Sequence, residues 1–359
     1  MSGQNERLNW VDSAKGISII LVVMMYSVFN VGQDAEGVGL FHYVIGFATP
    51  FRMPEFFLIS GLFLSQVLDR NWRAFADRRA VHYLYFYALW AVIHIVLKIG
   101  IMSADPVTAA SYLLWAIVEP YGVLWFIYLL AAFSLTAKLF HDLRAPRWIV
   151  FAFGAAFQMA EIHTGSYLID QFAEYFVYFY AGYLFAPWIF RIVDTALDHK
   201  ALALAGLGIY AVVNALLVFS PGYAVLPEHI QMGYAALPGV HMVLALAGSL
   251  ALCVTAALIS GFKAMAWLRW LGERSIVVYL VFVLPMSFAR IALGKIGLIQ
   301  DVTLSSLLVM LVAIGVSVGL YLVVQWTGRG KFLFERPSWA HLPGTKGSRS
   351  YRAATVPAE

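Results

Sequence analysis

Apolar runs of about 20 residues recur along nearly the whole chain, and they limit what it can fold into. An α-helix needs about that length to cross the hydrocarbon core of a bilayer, whereas membrane strands alternate polar and apolar residues over about ten. Of the 359 residues, 62% are hydrophobic and 12% charged, against about 45–50% and about 25% in soluble domains. The sequence therefore predicts an all-α, polytopic membrane helical bundle whose surroundings are the lipid bilayer.

We predict about ten transmembrane helices in one membrane domain over residues 1–334. The predicted spans are 14–31, 41–68, 81–102, 112–139, 149–162, 172–192, 202–219, 240–262, 275–293 and 304–326. The fourth contains Pro120, which interrupts helical hydrogen bonding. Residues 335–359 are polar and rich in Pro, Gly and Ser, so we expect a disordered cytoplasmic tail.

Lys and Arg are concentrated in the loops that follow even-numbered spans. Examples are Arg70, Arg73, Arg78 and Arg79 after the second span, and Arg144 and Arg147 after the fourth. Loops after odd-numbered spans carry fewer of them and contain acidic residues such as Asp34, Asp105 and Glu228. Basic residues flanking membrane helices stay on the cytoplasmic side. Both termini are therefore predicted to be cytoplasmic.

Residues 51–64, F-R-M-P-E-F-F-L-I-S-G-L-F-L, place Arg52 and Glu55 inside an apolar run. An ionisable residue at the centre of a membrane helix costs about 2.5–3.5 kcal/mol on insertion scales and usually serves function. At a spacing of three the two side chains share a helix face, so we expect a buried pair. Ser60 and Gly61 leave room for a ligand or a neighbouring helix.

The first span opens W-V-D-S-A-K-G, with Asp12 and Lys15 three residues apart at its cytoplasmic edge. This pattern, together with M-P-E-F-F-L-I-S-G, resembles the acyltransferase-3 family of integral membrane O-acyltransferases. Further similar stretches follow in the family's order, at L-W-F (124–126), F-V-Y-F-Y-A-G-Y-L (176–184) and G-E-R-S-I-V-V-Y-L (272–280). The resemblance runs from about Leu8 to Trp326.

The resemblance implies transfer of an acyl group, often acetyl, from acyl-CoA to a hydroxyl of an envelope glycan, lipid or secreted saccharide. It implies a bacterial-type inner membrane location, acyl-CoA as a substrate rather than a bound cofactor, and a carbohydrate or lipid acceptor. No nucleic-acid partner is expected. The single cysteine, Cys253, excludes a disulfide within the chain and a multi-cysteine metal site, so we expect no metal.

The chain departs from the family at three positions. Tyr26 stands where the family's first-span histidine, taken as the catalytic base, belongs, and Phe282 stands where a second histidine is common. The family's R-x-x-R pair, linked to donor binding, reads Arg79-Ala-Val-His82 here. Histidine titrates near 6.5 and tyrosine near 10, so Tyr26 is a poorer base at neutral pH.

These observations define the candidate site residues. The predicted catalytic residues are Tyr26, Lys15 and Glu55, and the predicted donor-binding residues are Arg52, Arg79, His82 and Ser60. Two alternatives stay open. One is a catalytically degenerate family member that acts as a translocator or binding subunit, since two family histidines are missing. The other is an unrelated secondary transporter, because interrupted spans with midplane charges are typical of that class.

The loop charges yield a topology prediction. Reporter fusions after Arg79 and after Arg147 should give a cytoplasmic signal, and a fusion near Pro227 should give an external one, because Lys and Arg are retained inside. Paired alkaline phosphatase and green fluorescent protein fusions would measure this. An external signal after Arg79 would reverse the predicted orientation.

Overall fold

The computed structural model describes residues 2–296 and 301–350 and is dominated by α-helices. In chain order these are α1 Ser2–Ala35, α2 Leu40–Leu62, α3 Ser65–Leu68, α4 Trp72–Ala76, α5 His82–Ile95, α6 Pro106–Trp115, α7 Trp125–Asp142, α8 Arg147–Met159, α9 Tyr167–Leu184, α10 Ala186–Asp198, α11 Lys200–Val218, α12 Pro238–Ser260, α13 Ala266–Glu273, α14 Ser275–Val281, α15 Val283–Ile296 and α16 Val302–Thr327.

Shorter elements join these helices. Two π-helical turns, Asp77–Val81 and Val96–Met102, flank α5 and make it part of one long helical run. Single 3₁₀ turns lie at Gly122–Leu124, Tyr234–Ala236, Lys263–Met265, Lys331–Leu333 and Ser338–Ala340. Strands β1 Ala224–Val225 and β2 Ile230–Gln231 form one small antiparallel ladder, with Ala224 opposite Gln231.

Six helical runs within the described residues are long and apolar enough to cross a membrane. They are Asn9–Ala35, Trp72–Met102, Gly122–Asp142, Lys200–Val218, Pro238–Ser260 and Val302–Thr327. Two further pairs qualify only as bent spans: α9 with α10 bends by 69°, and α14 with α15 by 52°. The chain is thus a multi-span helical membrane protein with six to eight candidate spans among these residues. The number ten and the cytoplasmic termini stay predictions.

The predicted second and fifth spans account for the difference in number. Helix α2 is 23 residues long but contains Arg52, Glu55 and two prolines, and it is not among the six. Helix α8 has 13 residues, about 20 Å at 1.5 Å per residue, which is shorter than the hydrocarbon core of about 30 Å. The predicted fourth span divides at Glu119–Pro120 into α6 and the run that contains α7.

The chain forms two compact units, which we describe separately. Unit 1 comprises residues up to Gly61 together with Leu184–Gly319, and unit 2 comprises Leu62–Tyr183 together with the described residues from Leu320 onward. In unit 1, helix α1 packs against α12 and α13. In unit 2, helix α7 packs against α5 and the first π-helical turn.

Two glycines allow α1 and α13 to approach at backbone distance. A Cβ atom on Gly272 of α13 would lie 1.7 Å from the carbonyl oxygen of Asp12, and one on Gly16 would lie 2.4 Å from the carbonyl oxygen of Leu268. Small residues at such crossings are typical of membrane helix pairs. The contact fixes the end of α1 that carries Asp12 and Lys15.

Unit 2 contains packed aromatic rings and one turn that is held by hydrogen bonds to Glu119. Phe133 of α7 has its ring centroid 5.0 Å from that of Phe172 of α9. In the break before α7, the Glu119 carboxylate accepts hydrogen bonds from the Ser166 hydroxyl at 2.5 Å and from the backbone N–H of Leu168 at 3.0 Å. The second of these bonds satisfies an orphan backbone donor at the start of α9. The sequence interruption at Glu119 therefore has a structural role.

The close crossing of α1 and α13 predicts that alanine substitutions at two glycines have different effects on stability. Gly272→Ala should destabilise the protein by about 1–3 kcal/mol, because an extra carbon there overlaps a backbone oxygen. Gly208→Ala on α11 is the matched control, since nothing lies within 4 Å of a Cβ at that position. Thermal unfolding in detergent, followed by size-exclusion chromatography, would measure both. Equal melting temperatures for the two variants would contradict the crossing.

Candidate functional site

The predicted site residues fall in both units. Unit 1 holds Lys15, Tyr26, Arg52, Glu55 and Ser60, and unit 2 holds Arg79 and His82. Each group is described within its own unit.

Glu55 is fully buried in α2, and its carboxylate is bound by a residue of α1. The Ser18 hydroxyl donates a hydrogen bond to Oε2 of Glu55, and it also lies 2.9 Å from the carbonyl oxygen of Ala14. A buried carboxylate requires such donors, because the hydrocarbon layer offers none. Ser18 was not among the predicted site residues, although it follows Lys15 by three positions and shares its face of α1.

Arg52 lies one helical turn before Glu55 and is also buried, with 8% of its surface exposed. The predicted burial of both charges in α2 is therefore confirmed. Their pairing with each other stays a prediction.

Lys15 adds a further charged side chain to those of Arg52 and Glu55. Its Nζ lies 3.3 Å from Oδ1 of Asp12, so the expected pair at a spacing of three is formed. The ammonium group also interacts electrostatically with the Glu55 carboxylate. Asp12, Lys15, Ser18 and Glu55 thus form one polar group, which we call the α1–α2 polar cluster.

Tyr26 lies further along the same helix. Ser18 precedes it by eight residues, about 12 Å of helix axis, so the α1–α2 polar cluster is at the level of Lys15 rather than of Tyr26. Tyr26 is half-buried, and its ring centroid is 5.5 Å from that of Phe282. Phe282 is the residue at which α14 bends into α15. The two positions at which the family resemblance leads one to expect histidine are therefore neighbours, and both are aromatic.

Polar groups that the sequence did not single out follow Tyr26 toward the end of α1. The Asn30 side-chain amide donates to the backbone oxygen of Tyr26 at 2.8 Å, and Arg290 Nη1 donates to Oδ1 of Asn30 at 2.5 Å. Arg290 Nε lies 3.0 Å from Oδ2 of Asp34. Asp34, Arg290 and Ser305 also line a cavity of about 310 Å³, which we call the Asp34 cavity.

Ser60 makes a hydrogen bond within α2. Its hydroxyl donates to the backbone oxygen of Phe56 at 2.8 Å, within its own helix. This back-bonding is common for serine in membrane helices. A donor-binding role for Ser60 stays a prediction.

Arg79 and His82 line a basic cavity in unit 2, of about 540 Å³, which we call the basic pocket. Its other lining residues are Arg70, Ala74, Asp77, Arg78, Tyr83, Arg336, His341, Thr345 and Lys346. Arg78 and Arg79 belong to the π-helical turn Asp77–Val81. π-Helical turns are rare in proteins, and those that occur often lie at functional sites.

The basic pocket has an excess of positive charge. Asp77 is its one acidic lining residue, and it is bound to Arg336, with 2.7 Å between Nη2 and Oδ2. Arg79 bonds to neutral groups, the Tyr83 hydroxyl at 3.3 Å and the backbone oxygen of Phe63 at 3.5 Å. Its charge is therefore available to an anion. The arrangement can hold a ligand that carries several negative charges.

Three of the basic lining residues were missed by the sequence reading. Arg336, His341 and Lys346 lie in the segment expected to be a disordered tail. The structure describes that segment to Ser350 and packs it on the π-helical turn, while residues 351–359 lie outside the described part. One available signal was Asp77, an acidic residue within an arginine-rich stretch. A buried aspartate requires a basic partner.

The family model described as "Acyltransferase domain" matches residues 8–322. Nodulation protein NolL of Sinorhizobium fredii (strain NBRC 101917 / NGR234) is 30% identical over 206 residues, which is 56% of this chain and 55% of that protein. The match thus spans about half the length of this relative. No solved structure matches.

The α1–α2 polar cluster predicts a contrast between two buried serines of α1. Ser18→Ala removes a hydrogen bond to a buried carboxylate and should lower stability by about 1–3 kcal/mol. Ser27→Ala is the control, because the Ser27 hydroxyl is equally buried and has no hydrogen-bond partner among the described residues. Melting temperatures of the two variants measure the difference. A loss at Ser27 as large as at Ser18 would contradict the contact between Ser18 and Glu55.

Proposed function

Because this chain belongs to the acyltransferase-3 family of membrane acyltransferases, we propose that it transfers an acyl group, often acetyl, from acyl-CoA to a hydroxyl. The proposed acceptor is an envelope glycan, lipid or secreted saccharide, and the proposed location is a bacterial-type inner membrane. The basic pocket with Arg79 and His82 is the observation that carries this proposal.

The basic pocket suits the nucleotide part of acyl-CoA. That part carries a pyrophosphate and a 3′-phosphate, and arginine binds phosphate oxygens through paired N–H groups. His82 replaces the second arginine of the family pattern, so it offers fewer donors than arginine would. The surrounding cations of the pocket compensate for this. In the predicted topology the pocket faces the cytoplasm, the side from which the donor is supplied.

The reaction requires a group that accepts a proton. The acceptor oxygen attacks the thioester carbonyl carbon, the C–O bond forms, the C–S bond breaks, and CoA leaves as a thiol that takes up the proton of the acceptor hydroxyl. Glu55 is our candidate base, because a carboxylate buried away from water accepts a proton more readily than the phenol of Tyr26, and Lys15 carries an ammonium group. Arg52 and Lys15 would stabilise the negative charge of the donor.

Tyr26 has a different proposed role. Its phenol can orient the acceptor hydroxyl or donate to the oxyanion that develops on the thioester carbonyl. The Asp34 cavity lies beyond it on α1, with a carboxylate, a guanidinium and a hydroxyl. Such a set of donors and acceptors fits a hydroxyl-rich molecule. We therefore assign the body of the acceptor to the Asp34 side of Tyr26, with its reacting hydroxyl directed toward Glu55.

A catalytically degenerate member is the second candidate. The contact between Tyr26 and Phe282 favours it, since neither of the neighbouring family positions carries an imidazole. Such a protein would bind or translocate the donor or acceptor without transferring the acyl group. An unrelated secondary transporter is not favoured, because the chain belongs to an acyltransferase family.

Acyl transfer from radiolabelled acetyl-CoA, measured in membranes that contain each variant, tests the proposal. The wild type should transfer label, and Tyr26→Phe should lower the rate by about tenfold or more, as expected for loss of one transition-state hydrogen bond. Tyr26→His should keep or raise the rate, since imidazole is a base of suitable pKa. Tyr43→Phe, at an exposed position of α2, is the control and should leave the rate unchanged.

The same assay separates the two candidates. An unchanged rate in Tyr26→Phe would remove Tyr26 from the mechanism and leave Glu55 as the residue to test. Transfer by Tyr26→His but not by the wild type would establish the degenerate member. Absence of transfer in every variant, with normal amounts of protein in the membrane, would contradict the enzymatic proposal.

A further inference from the structure

The segment that follows α16 folds back onto the π-helical turn of unit 2. We call residues 331–350 the C-terminal segment. Tyr85 donates through its hydroxyl to the backbone oxygen of Phe332 at 2.9 Å, and the Trp90 indole donates to that of Leu333 at 3.0 Å. The Trp339 ring lies 6.0 Å from that of Tyr85. These contacts anchor the first half of the C-terminal segment on α5.

Asp77 binds the middle of the C-terminal segment. Arg336 donates from Nη1 to the backbone oxygen of Asp77 and from Nη2 to its Oδ2, both at 2.7 Å. The backbone N–H of Leu342 donates to Oδ1 at 2.7 Å, and Nδ1 of His341 lies 3.1 Å from Oδ2. The side chains of Asp77 and Arg336 are 6% and 4% exposed. Both carboxylate oxygens are thus satisfied by the C-terminal segment.

This arrangement shapes the wall of the basic pocket. Gly347 adopts a φ of +106°, and a Cβ there would lie 2.8 Å from Cε1 of His341, so the chain turns tightly over the imidazole. Thr345 and Lys346 consequently line the pocket together with Arg78 and Arg79. Lys346 is exposed. No carboxylate among residues 2–296 and 301–350 lies within ion-pair distance of it.

The pairing of Asp77 also changes the charge of the pocket. The one acidic lining residue is neutralised by Arg336, which is itself buried. The remaining cations, Arg70, Arg78, Arg79 and Lys346, therefore face the cavity without a competing carboxylate from its lining. A concave site with several like charges attracts a polyanion and concentrates it locally.

We propose that the C-terminal segment completes the binding site for a phosphorylated nucleotide, with Lys346 as a phosphate ligand and Asp77 as the positioning residue that holds the segment through Arg336. The ligand is the nucleotide part of a CoA thioester, so this inference rests on the proposed function. In this proposal, Lys346 of the C-terminal segment adds a phosphate ligand to Arg79 and His82, which stand at the position of the family's donor-binding pair.

Binding of CoA to the purified full-length protein, measured by isothermal titration calorimetry in detergent, tests the ligand. Lys346→Gln should raise the Kd by about tenfold, as for loss of a hydrogen bond to a charged group, and should flatten the dependence of binding on salt. Arg349→Gln is the matched control. It removes the same charge from the same exposed segment at a position outside the pocket lining, so its Kd should equal that of the wild type.

A double-mutant cycle tests the positioning role. Asp77→Asn should weaken CoA binding because it removes the charge that holds Arg336. Lys346→Gln should then have little further effect in the Asp77→Asn protein, since a released segment no longer presents Lys346. Additive effects of the two substitutions would show that Asp77 does not position Lys346. Tryptic cleavage after Lys346 and Arg349 should also be faster in Asp77→Asn than in the wild type.

The outcomes distinguish this inference from the proposed function. CoA binding that is weakened by Arg79→Gln but unaffected by Lys346→Gln would overturn the inference and leave the proposed donor in place. Failure of the wild type to bind CoA, with tripolyphosphate bound and its binding lost in Lys346→Gln, would overturn the donor and keep a polyphosphate site. Failure to bind either anion would overturn both.

Discussion

A charge inside a hydrocarbon layer must find its partner within the protein, and this constraint explains where the polar residues of unit 1 lie. Glu55 is fully buried and takes its hydrogen bond from Ser18, and Lys15 stands close enough to interact with it. Burial removes the Glu55 carboxylate from bulk water, so its partners must be groups of the protein. The hydrogen bond between Ser18 and Glu55 therefore joins α1 and α2 at the level of Lys15. The glycines Gly16 and Gly272 bring α13 to the same end of α1.

Much of this arrangement could be predicted from the sequence, because long apolar helices and isolated charges are strong signals. The burial of Arg52 and Glu55 and the spacing of Asp12 and Lys15 are examples. Ser18 was not predicted, since a serine in a membrane helix is equally satisfied by its own backbone, as at Ser60. Which serine faces the carboxylate depends on the rotation of α1 against α2, which the local sequence does not specify.

The C-terminal segment shows a second limit of sequence reading. A stretch rich in Pro, Gly and Ser has too little apolar surface to form a core alone, so composition predicted disorder from residue 335. Its order in the structure comes from outside the segment, from Asp77 and from aromatic residues of α5. Composition does not report such contacts, because their partners are more than 240 residues apart in the chain.

The aromatic pair at Tyr26 and Phe282 bears on how a family reaction can persist without its histidines. The two positions are in ring contact, so replacing one imidazole alone would leave a polar group facing an aromatic ring, with a desolvation penalty and fewer partners. Replacing both keeps the contact apolar and leaves a single phenol hydroxyl. In the proposed reaction, proton transfer must then move to another group. Glu55, the proposed base, lies about two helical turns from Tyr26 toward Lys15. Because a base must lie within hydrogen-bond reach of the proton it accepts, or one water away, the proposed roles require the reacting hydroxyl to lie between Tyr26 and Glu55.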